Sequence, residues 1–457
     1  MTPVRSDSNP DETRMFSILS NPTYAKLFSA QILAVLGTGL MTIALGFLAF
    51  DLAGENAGLV MGLALTIKMV AYVGIGPIAN AIVDRLPRKA VLIGADMIRA
   101  SIALALPFVD AIWQVYVLIF VLQTASATFT PTFQATIPQV LPDERDYTKA
   151  LSLSRLAVDM ESLLSPALAG LLLLVMSFHW LFAGTVFGFV ISALLISNAA
   201  LPPRIQSTEN RSFGDRVTRG MRIYLATPRL RGLLALNLAV ASISAYVLVN
   251  TVVVARTLYG GSETDVTQLF AAFGIGSMIV AFTLPRILER LSDRAVMTTT
   301  SLSGALVLLG AGLWLSVADL LPWVALMAVW TLCGAFYSAT LTPTGRLIKR
   351  SAQSEDLSSV FAAQFALSHG CWLFTYPLAG WIGATYGQSS AMIVLGVLAI
   401  IGAGLARAVW PANDPQELAH DHPDLPKDHP HLETQPTGPH SHPYVIDDLH
   451  PSWPQKR

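Results

Sequence analysis

A membrane-embedded, all-α bundle of twelve transmembrane helices in two six-helix pseudo-repeats is predicted by three features of the sequence. Apolar stretches long enough to cross a bilayer recur along the chain, basic residues collect on one side of them, and one local plan occurs twice. The chain is 53% hydrophobic and 13% charged, with mean hydropathy +0.54, whereas a soluble domain carries about 25% charge.

A bilayer core of about 30 Å takes about 20 apolar residues per helix. Spans are therefore expected near 26–52, 58–82, 89–109, 112–138, 149–176, 180–201, 232–257, 265–287, 296–318, 322–346, 357–385 and 389–410. They divide the chain into an N-terminal segment 1–23, a six-helix bundle 24–201, a central loop 202–231, a second bundle 232–410 and a tail 411–457. The repeat supports the division. Thr130-Pro131-Thr132, Asp143-Glu144 and Ala150 recur 212 positions later as Thr342-Pro343-Thr344, Glu355-Asp356 and Ala362. Pro166 and Gly170 find counterparts in Pro377 and Gly380 after a short slip.

Charge placement sets the orientation. Arg85, Arg88 and Lys89 follow span two, Arg145 and Lys149 follow span four, and seven Arg lie between Arg204 and Arg231. Arg286, Arg290 and Arg294 follow span eight, and Arg346, Lys349 and Arg350 follow span ten. By the positive-inside rule both termini are cytoplasmic. Residues 1–23 contain no apolar signal region, so span one is expected to act as an uncleaved anchor. Within the loop, 213–225 has the pattern of a short amphipathic helix. Cys333 and Cys371 both fall within spans, which excludes a disulfide framework.

The connection after span two reads Asp84-Arg85-Leu86-Pro87-Arg88-Lys89, and that after span eight reads Glu289-Arg290-Leu291-Ser292-Asp293-Arg294. An acid beside a helix N-terminus and an Arg cluster that bonds carboxylates or phosphates make a clamp. Topology alone would explain the bases but not the repeated acid. The pattern resembles the signature loop of the major facilitator superfamily, with Asn80 and Pro87 where glycine is usual. That resemblance implies gating roles for Asp84, Arg85, Arg88, Lys89, Glu289 and Arg290.

Ionisable groups inside spans are costly and are functional suspects. Asp96 and Arg99 stand at i,i+3 in span three and are expected to pair with each other. Span four carries Thr124, Ser126, Thr128, Thr130, Thr132 and Gln134 around Pro131, and is expected to line the pathway. In span five, at about 100° per residue, Ser152, Arg155, Asp159, Ser162 and Pro166 share one stripe, with Glu161 on the stripe beside it. Asp159 stands about 13 Å from Ala150, near the bilayer centre. Two readings follow: a self-neutralising Arg155–Asp159 pair, or an acid that leaves that pair when a cation or proton arrives. Lys68 in span two is equally deep and suits a counter-charge to the carboxylate. In span eleven Gln364, Ser368, Cys371 and Thr375 form one polar stripe. His369 projects elsewhere with Phe365, Trp372 and Tyr376. His369 and Cys371 stand about 200° apart, so they do not form a two-ligand motif, although each is a candidate metal contact.

Seven of the nine histidines lie in the tail, at His420, His422, His429, His431, His440, His442 and His450. Ten prolines between Pro411 and Pro454 argue for an unstructured segment. Six of these histidines form H-x-H pairs among acids, a composition suited to borderline ions such as Ni²⁺, Zn²⁺, Cu²⁺ and Co²⁺. Span four, the run Pro142-Asp143-Glu144-Arg145 with Ala150-Leu151-Ser152, and the His-rich terminus together resemble the nickel-resistance exporters of the NreB type within the same superfamily. The run 165–170 also resembles that superfamily's antiporter motif, with Ser and Ala for two glycines.

The resemblance implies a multi-pass protein of a bacterial inner membrane. It would export Ni²⁺, with Co²⁺ or Zn²⁺ as alternatives, by proton antiport and so confer metal resistance. Its partners would be membrane lipid, the ion and protons, with no nucleic acid and no resident cofactor. An exporter of a drug or siderophore-like molecule with a metal-responsive tail, or a membrane-tethered metal buffer or sensor, remain as alternatives. No G-x-x-x-x-G-K-[ST] loop is present, which argues against ATP-driven pumping, and nothing points to an enzyme.

Overall fold

The computed structural model describes residues 15–75, 86–143, 146–147, 149–150, 153–154, 157, 165, 168–173, 175–201, 213–318, 320–353, 356–414, 417–420 and 440–454. Outside them lie Asp84 and Arg85 of the first signature loop, Arg155, Asp159 and Glu161 of span five, and His422, His429 and His431 of the tail.

Among the described residues the chain forms α1 (Pro22–Ala53), α2 (Ala57–Val70), α3 (Arg88–Ala105), α4 (Ile112–Val140) and α5 (His179–Ser197). A linker helix α6 (Phe213–Ala226) follows, then α7 (Pro228–Val253), α8 (Glu263–Leu288), α9 (Asp293–Val317), α10 (Trp323–Leu341), the short α11 (Thr344–Lys349) and α12 (Leu357–Val409). Nine apolar helical stretches in this set are long enough to cross a bilayer. Two of them, Pro22–Gly74 at 53 residues and Ser359–Val409 at 51, have the length of two crossings each.

Local chemistry sets the boundaries. The side chain of Asn21 accepts the backbone N–H groups of Thr23 and Tyr24 at 3.0 and 3.1 Å, and Pro22 takes the first helical position of α1. Ser262 and Asp265 form a reciprocal capping box at the start of α8. Gly387, at φ 87° and ψ 167°, divides α12 into arms 357–386 and 388–409, at the junction expected between spans eleven and twelve.

Arg88, Lys89, Arg219, Arg294, Arg346 and Arg350 gather at one end of the bundle, here the basic end; the opposite end is the far end. At the basic end, α7 begins where α12 finishes. A Cβ on Gly232 would lie 2.8 Å from Cβ of Trp410, so only glycine lets the two helices meet there. Arg294 fixes the junction by donating to the carbonyls of Trp410 and Arg407 at 2.9 and 3.0 Å.

The described parts of the tail, 411–414, 417–420 and 440–454, depart from the unstructured segment expected of it. Strands β1 (Glu417–His420) and β2 (His440–Pro443) pair antiparallel, with Leu418 opposite His442 and His420 opposite His440. Beyond them Tyr444 and Ile446 enter the apolar cluster of α6, α7 and α12, with Ile446 fully buried. Proline density argued for disorder, but an aromatic, an aliphatic and two acids facing an Arg-rich surface supply enough burial and charge pairing to order this stretch.

Candidate functional site

The two halves meet most tightly toward the far end. A Cβ on Gly62 would sit 2.7 Å from the Tyr376 carbonyl oxygen and 3.3 Å from Cα of Gly380. One on Gly380 would sit 2.4 Å from the Gly58 carbonyl oxygen. Small residues allow this backbone approach, as in other membrane helix pairs. Asn250 of α7 completes the seam. Its amide donates to the Ala379 carbonyl at 3.2 Å, and its oxygen accepts from Gln388, which in turn accepts from the Tyr246 hydroxyl at 3.2 Å.

Nearer the basic end the seam widens around an aromatic group. Tyr72 lies in the π-helical turn Ala71–Ile75 that follows α2, and its ring stands 5.8 Å from Phe365 and 5.7 Å from His369 on the first arm of α12. Trp372 adds a third ring, 6.3 Å from the imidazole, held by an indole N–H donated to Ser244 at 2.9 Å. His369 is about 18 Å along the helix from Leu357, hence at mid-depth. Its Nδ1 faces the Phe365 carbonyl at 2.7 Å, which makes Nδ1–H the donor and Nε2 the acceptor of the neutral ring. Half-buried Lys68, one helical turn before Tyr72, lies within electrostatic reach of that ring. The group is a partly exposed aromatic cluster contributed by both halves.

The remaining sequence candidates separate. The span-eleven stripe is turned onto its neighbours: Gln364 bonds the Tyr224 hydroxyl, Thr375 donates to the Ala241 carbonyl at 3.3 Å, and Cys371 faces the Leu367 carbonyl at 3.6 Å. Cys371 and His369 are therefore not joined in one ligand set, as their spacing required. Among the described residues no group of three or more His, Cys, Asp or Glu side chains could hold a metal ion. His450 is buried in a turn with Asp447, 2.8 Å from its carboxylate, rather than displayed on an open tail. The side chains of His420, His440 and His442 lie outside the described set.

In α4 the hydroxyls expected to line a pathway are spent locally. Thr124, Ser126, Thr128, Thr130 and Thr132 each donate to a carbonyl four residues earlier, at 2.8 to 3.2 Å. Asp96 and Arg99 do pair, fully inside the first half. Ser192 donates to Asp96 at 2.7 Å, and the guanidinium lies over the Phe129 and Phe189 rings at 4.2 and 4.5 Å.

Of the signature loops, Lys89 donates to the Ala199 carbonyl at 3.1 Å, closing α3 onto the end of α5, and Arg88 is half-buried beside it. Glu289 and Arg290 are exposed. The acid that makes the clamp in the second half is Asp293, paired with Arg346 beyond α10. Sequence reasoning missed this assignment, although Asp293 stood within the motif it quoted.

Comparison with known proteins accords with this architecture. The chain is 24% identical over 353 residues to macrolide efflux protein A of Streptococcus pyogenes, covering 74% of this chain and 83% of that one. It is 26% identical over 324 residues to macrolide efflux protein A of Enterococcus faecalis, covering 66% and 96%. In fold it resembles a nucleoside transporter (TM-score 0.62, 14% identity, 85% of this chain and 98% of that one). It also resembles a D-xylose-proton symporter (TM-score 0.64, 12% identity, 87% and 98%). The family model described as Major Facilitator Superfamily matches residues 27–299 and 234–436. With its paired signature loops and two packed halves, the chain belongs to the major facilitator superfamily of membrane transporters.

Proposed function

We propose that this transporter exports a bulky, largely apolar organic molecule from the cytoplasm, which its basic end faces. The observation that carries this reading is the mid-depth aromatic cluster between the halves, formed by Tyr72, Phe365 and Trp372 with His369 among them. Aromatic walls with few polar groups suit an apolar cargo. Lys68 beside the imidazole sets a positive potential there that disfavours a cation. Likeness to macrolide efflux proteins supports the same direction and cargo class. The cargo enters from the basic end, the halves rock about the cluster, and the glycine seam parts to release it.

A divalent-metal cargo is the second reading, favoured by the strand register that sets His420 opposite His440, with His442 two positions on in the same strand. In that cycle the tail gathers Ni²⁺, Co²⁺ or Zn²⁺, the ion displaces Arg155 or Lys68 from Asp159 with help from Glu161, and proton return releases it. Uptake into inverted membrane vesicles separates the two. The organic reading expects uptake of radiolabelled erythromycin, reduced at least tenfold by Trp372→Ala and indifferent to deletion of 421–439. Nickel uptake dependent on the pH gradient and lost in Asp159→Asn, with no uptake of the macrolide, would establish the second reading instead.

A further inference from the structure

The tail after β2 closes on itself before it meets anything else. Oδ1 of Asp447 accepts the backbone N–H groups of Leu449 and His450 at 2.9 and 2.7 Å, and the Asp447 N–H returns to the His450 carbonyl at 3.2 Å. The His450 ring stands 2.8 Å from the same carboxylate and edge-on to Tyr444, with centroids 4.7 Å apart. The Tyr444 hydroxyl donates to the Ser452 carbonyl at 2.8 Å, and Trp453 packs against Tyr444 at 5.3 Å. An Asx turn with three rings packed edge to face makes a small preformed knot.

That knot is fastened to two other parts of the chain. Arg219 of the linker helix donates to both oxygens of Asp448 at 2.8 Å, and Arg222 adds a contact at 3.2 Å. The same Arg219 guanidinium reaches Asp356, which immediately precedes α12, through a 2.9 Å bond from its second terminal nitrogen. Gln353, in the α11–α12 connection, donates to Asp447 at 2.7 Å. Ile446 and Tyr444 fill the apolar floor beneath, with Leu347, Val360 and Trp410. Arg229 lies over the Trp453 ring at 5.2 Å. One guanidinium thus joins the linker helix, the start of the cluster-bearing arm and the C-terminal segment.

The far-end seam is shut around Gly62 and Gly380, so the state described is closed at the far end. Transport moves one half against the other, and any swing of the start of α12 relative to the linker helix would break the Arg219 contacts. We propose that residues 440–454 are a built-in latch that holds the transporter in its far-end-closed state, by tying the α11–α12 connection to the linker helix through Arg219. Transport then requires the latch to undock in each cycle or to be released by a signal, whatever the cargo.

The test uses the full chain in nanodiscs, with Cys333 and Cys371 replaced by Ala and spin labels at Glu55→Cys and Tyr386→Cys to report the far end. Two substitutions undock the knot by different means. Ile446→Asp puts a charge on the apolar floor, and Asp448→Arg sets a base against Arg219 and Arg222. Both should raise amide exchange at 444–450 and increase the long-distance, far-end-open population at least tenfold. A synthetic 440–454 peptide added to the Ile446→Asp protein should restore the short distance. The latch is refuted by unchanged exchange in both variants, by raised exchange with an unchanged distance distribution, or by a bound peptide that restores nothing.

Discussion

Gly62 and Gly380 face each other with their backbones nearly touching: a Cβ on the first would stand 3.3 Å from Cα of the second, which itself presses on the Gly58 carbonyl. Among the described residues the closed far end therefore rests on missing side chains, with Arg256 over the Phe50 ring at 5.2 Å beside them, and not on an ion pair. Such a contact is held by dispersion and parts without breaking an ion pair.

Bulk at this point should act as a wedge. Gly62→Val is expected to keep the protein folded in the membrane while opening the far end and reducing transport at least tenfold. Spin-label distances between Glu55→Cys and Tyr386→Cys, with uptake in vesicles, check this; a far end still closed with normal uptake would count against the seam.

The Asp96–Arg99 pair sits inside the first half, with Asp96 fully buried and Arg99 almost so. Asp96→Ala leaves a buried guanidinium without its carboxylate and should cost about 3–5 kcal/mol. Asp96→Leu combined with Arg99→Met should cost much less, because no lone charge remains. Thermal unfolding in detergent compares the two, and equal losses would contradict the assignment.

Removing the tail is two different experiments. Truncation after Pro411 takes away Asp414, which lies 3.6 Å from the buried Arg229 and also pairs with Arg350. It should therefore destabilise the second half by several kcal/mol, about 3 or more for the charge left buried. Deletion of 421–439 spares Asp414 and the knot, and should leave the melting temperature within about 2 °C. Melting of both variants in one detergent checks the contrast, which matters because only the second deletion isolates the role of the intervening histidines.

The latch should also answer to acid. Hydrogen bonding from Arg219 holds the Asp448 carboxyl below its ordinary value of 3.8. A carboxylate with a lowered folded value contributes fully above the unfolded value, and the contribution fades as pH falls through the lower one. Amide exchange at 444–450, divided by its intrinsic rate at each pH, should thus stay constant above about pH 5 and rise below about pH 4. A rise that begins near neutrality would assign the sensitivity to another group.

Much of this was readable in advance, for identifiable reasons. Apolar length and basic connections mark spans directly, so the arm junction at Gly387 and the two-half plan were legible, and i,i+3 spacing was enough to pair Asp96 with Arg99. The α4 hydroxyls bond their own helix four residues back, and a Thr-rich run reads the same whether or not its face also meets water. The partners of Asp448 lie more than two hundred residues away in the linker helix, beyond any local pattern. Tyr72 likewise gave no signal, since its meeting with Phe365 and His369 depends on how the halves dock. Proline and histidine counts suggested a free tail because composition does not reveal what surface lies opposite.

The contact of Gly232 with Trp410 has a topological consequence. It brings the first and last turns of the second bundle together, so the chain enters and leaves that bundle at one spot. Whatever docks on the C-terminus then stands beside the strand of chain that couples one bundle to the other. A message delivered there reaches the hinge without first crossing the bilayer.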